Sequence, residues 1–240
     1  MIKQSMLVVL AHPDDESFPL GGTLAKYAAL GVQITLICAT KGEAGIPSLP
    51  QEKVALLRER ELRAAAAVLG LSEVRFLGWK DGELAKVDES IAIQQLLPIL
   101  REIHPQVVIT FGPDGISGHP DHIAVHHWTA AAFDEADLPA KLYYIAPSEA
   151  TMQGCGVIPT TEITGGPTVG IDIGDYRVTK VQAAQCHASQ NPPFPGDPET
   201  EAEQVACHEY FVLARPIVQA ISTDDLFNIW VKQEVSHERA

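Results

Sequence analysis

The sequence MLVVLAHPDDE, residues 6–16, joins an apolar run to a turn that is crowded with acidic side chains. The run Met6 to Ala11 is too short for a membrane span, and its unbroken apolar character is typical of a strand buried on both faces of a parallel sheet. His12, Asp14 and Asp15 follow directly. In an open α/β sheet, ligands bind beyond the carboxyl ends of the strands, so we expect a site at this turn.

Short apolar runs alternate with longer amphipathic ones along most of the chain. This alternation predicts an α/β, Rossmann-like fold with three layers, in which a mostly parallel sheet carries helices on both faces. The predicted strands are Leu7–Leu10, Val32–Ala39, Val74–Leu77, Val107–Phe111, Leu142–Ala146, Val169–Ile173 and Tyr210–Ala214. The predicted helices are Gly22–Leu30, Gln51–Leu69, Ser90–Ile103, His122–Ala136 and Arg177–Ser189.

The composition is that of a globular, acidic chain. Its 240 residues carry 17 basic and 31 acidic side chains, a net charge of −14, which argues against nucleic acid and an anionic membrane as partners. No change of composition marks a boundary, so we expect one domain over residues 1–240, located in the cytoplasm. Residues 148–167 form a candidate substrate loop and residues 228–240 a tail. Asn191–Glu199 holds four prolines in nine positions and is predicted to be non-helical.

A second polar cluster, Gly118-His-Pro-Asp-His122, follows the predicted strand Val107–Phe111 after a short loop. Pro120 suits the first position of a helix, which would place His119 at the cap and His122 in the first turn. Imidazole and carboxylate groups together are good ligands for a divalent metal. Because this cluster and the HPDD turn both follow strand ends in one sheet, the sequence predicts a metal site between them.

Spacing alone leaves the ligand set open. His122 is three residues after His119 and four residues before His126, and both spacings bring side chains to one face of a helix. His127 is adjacent to that pair. The acids of the first cluster could also interact only with the dipole of the helix that follows them.

Both clusters resemble the signature motifs of the LmbE-like, or PIG-L, family of metal-dependent N-acetylglucosaminyl deacetylases. The family turn AHPDDE is intact as Ala11–Glu16, and its second motif HxDH is His119–His122. Further matches extend from about Met6 to Phe227, and they include residues 39–45, 58–70, 76–84 and 180–190.

The resemblance assigns roles at the two motifs. It implies that His12, Asp15 and His122 are the metal ligands. It also implies that Asp14 is the general base and that His119 is the electrophile and general acid. It therefore favours the pair His119 and His122 over the helical pair that spacing also allows.

The resemblance extends to the substrate side of the site. It implies that Asp121 orients His119 and that Arg58 contacts substrate, although a lone arginine on an amphipathic helix could equally form a solvated ion pair. His187 lies in a later family stretch, and it either lines the site or caps a helix. The expected partner is a small amino-sugar conjugate, and members of the family often form trimers or hexamers.

These expectations define a hydrolase that removes the N-acetyl group from an N-acetylglucosamine conjugate, with water activated by a bound divalent metal. Zinc fits the ligand types, and Fe²⁺ suits the same set. Three alternatives keep the ligands: an amidase of a related sugar or thiol-conjugate amide, a non-haem Fe(II) oxygenase, and a metal-binding module without this activity.

Overall fold

A seven-stranded sheet forms the centre of the structure, a computed structural model that describes residues 3–146, 169–216 and 224–227. Its strands are β1 (Ser5–Leu10), β2 (Gln33–Cys38), β3 (Glu73–Phe76), β4 (Val107–Thr110), β5 (Lys141–Ile145), β6 (Val169–Asp172) and β7 (His208–Arg215). They lie in the order β3-β2-β1-β4-β5-β7-β6. The strands β1 to β5 pair in parallel, whereas β7 runs antiparallel to both β5 and β6.

Helices cover both faces of this sheet. They are α1 (Gly21–Ala29), α2 (Gln51–Leu69), α3 (Glu89–Ile103), the short α4 (Gly115–Gly118), α5 (Pro120–Ala136), α6 (Arg177–Cys186) and α7 (Pro198–Ala202). On one side α1, α2 and α6 pack against one another, and on the other side α3 packs against α5. The predicted α/β architecture, a mostly parallel sheet between two layers of helices, is confirmed.

The order of the strands reverses at β1. From β1 the chain adds β2 and β3 on one side, and it then returns to place β4 and β5 on the other side. The loops after β1 and β4 therefore separate at the carboxyl ends of two neighbouring strands. Such a switch point opens the crevice in which open α/β sheets bind ligands.

The strand that carries the HPDD turn is fixed in the core. Every residue of β1 after Ser5 is at most 1% exposed. Burial of each such Val or Leu side chain contributes about 1.5–3 kcal/mol relative to its exposure. The turn that follows is thus anchored on one of the most constrained elements of the molecule.

The predicted elements are all present, with ends that shift by a few residues. The prediction that Asn191–Glu199 is non-helical is wrong at its end, because α7 begins at Pro198. Proline is tolerated at the first helical position, where its missing N–H would be unpaired, and the Asp197 side chain caps this helix through the Thr200 amide.

Two predicted segments, the candidate substrate loop 148–167 and the tail 228–240, lie outside the described residues, and the single domain stays a prediction. None of the helices within the described ranges is long and apolar enough to cross a bilayer.

Candidate active site

The turn after β1 is held together by its own polar groups. Asp15 Oδ2 accepts a hydrogen bond from the His12 amide at 2.7 Å. Asp14, between them, has a φ of +109°, in a region that few L residues other than Asn and Asp adopt. Its carbonyl accepts hydrogen bonds from the amides of Ser17 and Phe18 at 2.9 and 3.2 Å. This backbone path lets His12 and Asp15 approach the same point.

The start of α5 supplies the second half of the site. His119 caps the helix and Pro120 occupies its first turn, as the sequence predicts. The Asp121 amide donates to His119 Nδ1 at 3.2 Å, so in the neutral ring the proton is on Nε2. His122 Nδ1 donates to the Gly115 carbonyl at 3.0 Å. His122 Nε2 is therefore the nitrogen that is free to bind a cation.

Three possible ligand residues meet in a triangle, in which both carboxylate oxygens of Asp15 take part. His12 Nδ1 lies 3.3 Å from His122 Nε2 and 3.6 Å from Asp15 Oδ2, and His122 Nε2 lies 3.3 Å from Asp15 Oδ1. Ligands at zinc bond lengths and tetrahedral angles are about 3.3–3.4 Å apart. The three residues thus fit a tetrahedral divalent ion with one position left for another ligand.

The far side of the His12 ring is fixed by two carboxylates. His12 Nε2 lies 3.1 Å from Asp81 Oδ1 and 3.2 Å from Asp121 Oδ2. Because ionised carboxylates only accept hydrogen bonds, Nε2 carries the proton and Nδ1 presents a lone pair to the triangle. Asp121 is itself held by the amides of Gly82 and Leu84 at 2.7 and 3.0 Å. This is the carboxylate–histidine arrangement that orients ligands in metal sites.

The charges of the cluster shift the pKa values of its two central ligands. Burial lowers the pKa of His12, but the hydrogen bonds with Asp121, Asp15 and Asp81 outweigh it and raise that pKa well above its ordinary value. Burial raises the pKa of Asp15, but His122 and His12 outweigh it and hold that pKa well below its usual range. In the absence of a cation, a proton held on His12 therefore balances part of the charge of these acids.

The pKa of Asp14 is raised, whereas that of the adjacent Asp15 is lowered. Burial and the charge of Asp15 raise the pKa of Asp14 to about 7, although Arg58 and His187 oppose the shift. Arg58 Nη2 donates to Asp14 Oδ2 at 2.9 Å. A carboxylate with a pKa near neutrality is suited to accept and return a proton at physiological pH.

Arg58 reaches the turn through a gap made by two glycines. The side chain is buried, and it also donates to the carbonyls of Gly42 and Pro13. A Cβ on Gly42 would lie 2.2 Å from Arg58 Nη1, and one on Gly45 would lie 2.6 Å from it. The arginine is therefore not the solvated ion pair that the sequence also allowed, since its charge pairs with Asp14 inside the protein.

Comparison with known proteins agrees with the motifs. The family profile described as GlcNAc-PI de-N-acetylase, PIG-L, matches residues 7–133. A protein of Saccharomonospora viridis named 1D-myo-inositol 2-acetamido-2-deoxy-alpha-D-glucopyranoside deacetylase is 35% identical, over 91% of this chain and 98% of that protein. The chain belongs to the PIG-L family. A Thermobifida fusca protein of the same name is 36% identical, over 79% of this chain and 84% of its own length.

Solved structures share the PIG-L fold of this chain. The N,N'-diacetylchitobiose deacetylase of Pyrococcus horikoshii matches 88% of this chain and 84% of its own, with a TM-score of 0.67 and 25% identity. GalB of Pseudomonas putida, a 4-carboxy-2-hydroxymuconate hydratase, reaches the same TM-score over 91% of this chain and 99% of its own at 20% identity. The second likeness shows the fold alone.

Several PIG-L residues take positions that the motifs did not specify. The Asp121 carboxylate contacts His12, and its backbone amide, not its carboxylate, bonds the His119 ring. His126 Nδ1 bonds the Phe111 carbonyl at 2.9 Å. Among the described residues His126 belongs to no group of possible metal ligands, so the geometry favours His122 without it. The catalytic role of Asp121 stays a prediction.

His187 has no exposed surface, and its Nε2 lies 2.7 Å from Glu16 Oε1. It also forms the C-terminal cap of α6. A contact between His187 and substrate would require the ring to move, and that contact stays a prediction. Sequence reasoning missed the roles of Asp81 and Glu16, although both lie within family motifs.

Proposed function

We propose that this PIG-L protein is a metal-dependent N-deacetylase that releases acetate from the amino sugar of a small N-acetylglucosamine conjugate. The observation that carries the proposal is the triangle of His12, Asp15 and His122, with Asp14 directly beside it. The named deacetylases among its relatives support the reaction class.

A divalent ion at this triangle would supply Lewis acidity for the acetamide carbonyl and lower the pKa of a bound water. Asp14 is the general base in this proposal. Its position beside the ligand Asp15 puts it within reach of the attacking water, and its pKa of about 7 allows it to accept the proton. Arg58 holds Asp14 Oδ2 in place through the 2.9 Å hydrogen bond.

His119 acts as a hydrogen-bond donor to the developing oxyanion. Its ring centroid lies 5.0 Å from that of His12 and 4.7 Å from that of His122, so it borders the triangle. Partial burial and the two neighbouring histidines lower the pKa of His119. The ring is therefore neutral at pH 7, and its Nε2–H stabilises negative charge on the carbonyl oxygen.

The leaving amine needs a proton because an amide anion leaves poorly. A neutral His119 has no proton to spare beyond the one on Nε2. We therefore assign this transfer to Asp14, which takes a proton from water and returns it to the nitrogen as the C–N bond breaks. The products are acetate and the free amine. The resemblance implies His119 as the general acid, and the lowered pKa of His119 is the reason that this proposal gives the transfer to Asp14 instead.

Zinc is the proposed metal, since two imidazoles and one carboxylate form a common catalytic zinc set; Fe²⁺ is the competing ion. The proposed substrate is a GlcNAc–inositol conjugate of the kind named for the relatives from Saccharomonospora viridis and Thermobifida fusca. Cytoplasmic location and a trimeric or hexameric assembly stay predictions.

The test starts from protein stripped with a chelator and reloaded without oxygen with one equivalent of Zn²⁺ or Fe²⁺. Acetate release is measured on GlcNAc–inositol, on N,N'-diacetylchitobiose and on a thiol-conjugate amide. We expect anaerobic, metal-dependent release from the inositol conjugate, and almost none from Asp14→Asn with metal still bound. Full activity of that variant would refute the base, and turnover only of the thiol amide would favour the amidase.

A further inference from the structure

Glu16 and His187 form a buried pair beneath the HPDD turn. Neither side chain has any exposed surface, and Glu16 Oε1 lies 2.7 Å from His187 Nε2. The two residues come from distant parts of the chain, since Glu16 follows β1 and His187 ends α6. Glu16 Oε1 also accepts a hydrogen bond from Ser17 Oγ.

The second oxygen of Glu16 reaches the residue proposed as the base. Glu16 Oε2 accepts a hydrogen bond from the Asp14 amide at 3.0 Å. This bond restrains the backbone at the residue whose φ is +109°, a conformation that costs free energy and persists only where its surroundings enforce it. Asp14 is thus held by Arg58 at its carboxylate and by Glu16 at its amide.

We propose that Glu16 and His187 are positioning residues for the reaction, which hold the Asp14 backbone so that its carboxylate faces the metal triangle. His187 acts through Glu16: it donates from Nε2, fixes the carboxylate plane and so directs Oε2 at the Asp14 amide. The proposal rests on the proposed function, because it takes Asp14 as the base.

A role in stability alone is a poor explanation of the buried Glu16–His187 pair. Burial of a carboxylate and an imidazole is costly unless their hydrogen bonds are complete, and apolar side chains would pack at lower cost. Within the described residues His187 Nδ1 has no partner, so the ring contributes one polar contact, the one to Glu16. Moreover, α6 already has a buried ion pair, in which Lys180 contacts Glu209, the residue that bonds the first amides of α1.

The main test compares two replacements of His187. His187→Gln places an amide N–H near the position of Nε2 and keeps the donor, whereas His187→Leu removes it. We expect His187→Leu to lower kcat by about 10- to 100-fold, as misplacement of a catalytic group by about 1 Å does, with KM nearly unchanged. His187→Gln should recover most of this loss, and both variants should bind one metal ion per chain.

The matched control is the double variant Lys180→Met with Glu209→Gln, which removes the other buried tie of α6 without leaving an unpaired charge. It should lower Tm and leave kcat unchanged. The proposal is overturned if His187→Leu keeps the wild-type kcat. It is also overturned if His187→Gln has the same lowered kcat as His187→Leu when the two variants have equal Tm. It is also overturned if the loss appears in KM or metal content.

A second readout needs neither metal nor turnover. In metal-free protein, amide hydrogen exchange measured by NMR should show the Asp14 N–H protected in the wild type and in the control variant Lys180→Met with Glu209→Gln. It should exchange faster in His187→Leu and in Glu16→Met, which removes the oxygen that accepts from this amide. Unchanged exchange would overturn the pair's role. An inactive wild type, or a fully active Asp14→Asn, would instead refute the proposed function, and the exchange data separate the two failures.

Discussion

The pH dependence of stability in the metal-free protein should report directly on Asp14. Its pKa is raised to about 7 in the folded chain, mainly by burial and by the charge of Asp15. The folded state therefore holds the Asp14 proton more tightly than the unfolded state does. A group with a raised folded pKa contributes stability that is fully present below its unfolded pKa and is lost as pH rises through its folded pKa.

The size of the effect follows from the shift. One pKa unit corresponds to about 1.4 kcal/mol, so the stability that Asp14 contributes should fall by about 2–3 kcal/mol between pH 5 and pH 8. Only 19% of the side chain is exposed, so solvent screening reduces this figure little. The pKa of His12 is also raised in the folded chain: burial lowers it, but the carboxylate partners outweigh burial. The stability that His12 contributes is therefore likewise lost as pH rises, in a higher pH range than that of Asp14.

Asp14→Asn isolates the contribution of this one residue. Asparagine tolerates the positive φ and can still accept the hydrogen bond from Arg58, but it does not titrate. Urea unfolding of both metal-free proteins at pH 5, 6, 7 and 8 gives the unfolding free energy of the wild type minus that of the variant, in which groups common to both largely cancel. This difference should decline as pH rises and level off above pH 7. A difference that stays constant or increases with pH would refute the reasoning.

Three further variants test the surroundings of the triangle. Gly42→Ala should lower kcat/KM by about 10-fold or more, because the new Cβ would lie 2.2 Å from Arg58 Nη1 and displace it, whereas Gly31→Ala, with a φ of +87° and open space around it, should cost only stability. Asp121→Asn should weaken zinc binding by about 10- to 100-fold in a competition titration, because the Asp121 carboxylate orients the ring of His12. His126→Gln should leave one metal ion bound per chain, as measured by elemental analysis; loss of the metal would return that histidine to the ligand set.

The parallel core of the fold could be predicted from the pattern of apolar residues. Strands such as Val107–Thr110 are buried on both faces and have continuous apolar runs, and the amphipathic stretches between them require helices. The direction of β7 could not be predicted in the same way. An apolar run has the same pattern in either direction, so only its pairing with β5 and β6 defines the antiparallel edge.

The site, like the fold, could be predicted only in part. The order of the strands predicted that His12 and His122 lie at one crevice, because residues that follow neighbouring parallel strands meet there. Spacing could not choose between His119 and His126, since the choice depends on how close each ring lies to the other ligands in the folded chain. Among the described residues His126 belongs to no group of possible metal ligands, whereas the His119 ring centroid lies 4.7 Å from that of His122.

The partners of each acid, more than its place in the motif, define its task. Asp15 faces two histidines and has a lowered pKa, which suits a ligand, whereas burial and the charge of Asp15 raise the pKa of Asp14 to about 7 despite Arg58, which suits a base. Glu16 is turned inward to His187. Because GalB shares this fold but carries the name of a hydratase, the fold by itself selects no reaction. We therefore expect the chemistry to lie in these contacts, and the proposal for His187 predicts that loss of its hydrogen-bond donor misdirects Asp14 without loss of a bound metal ion.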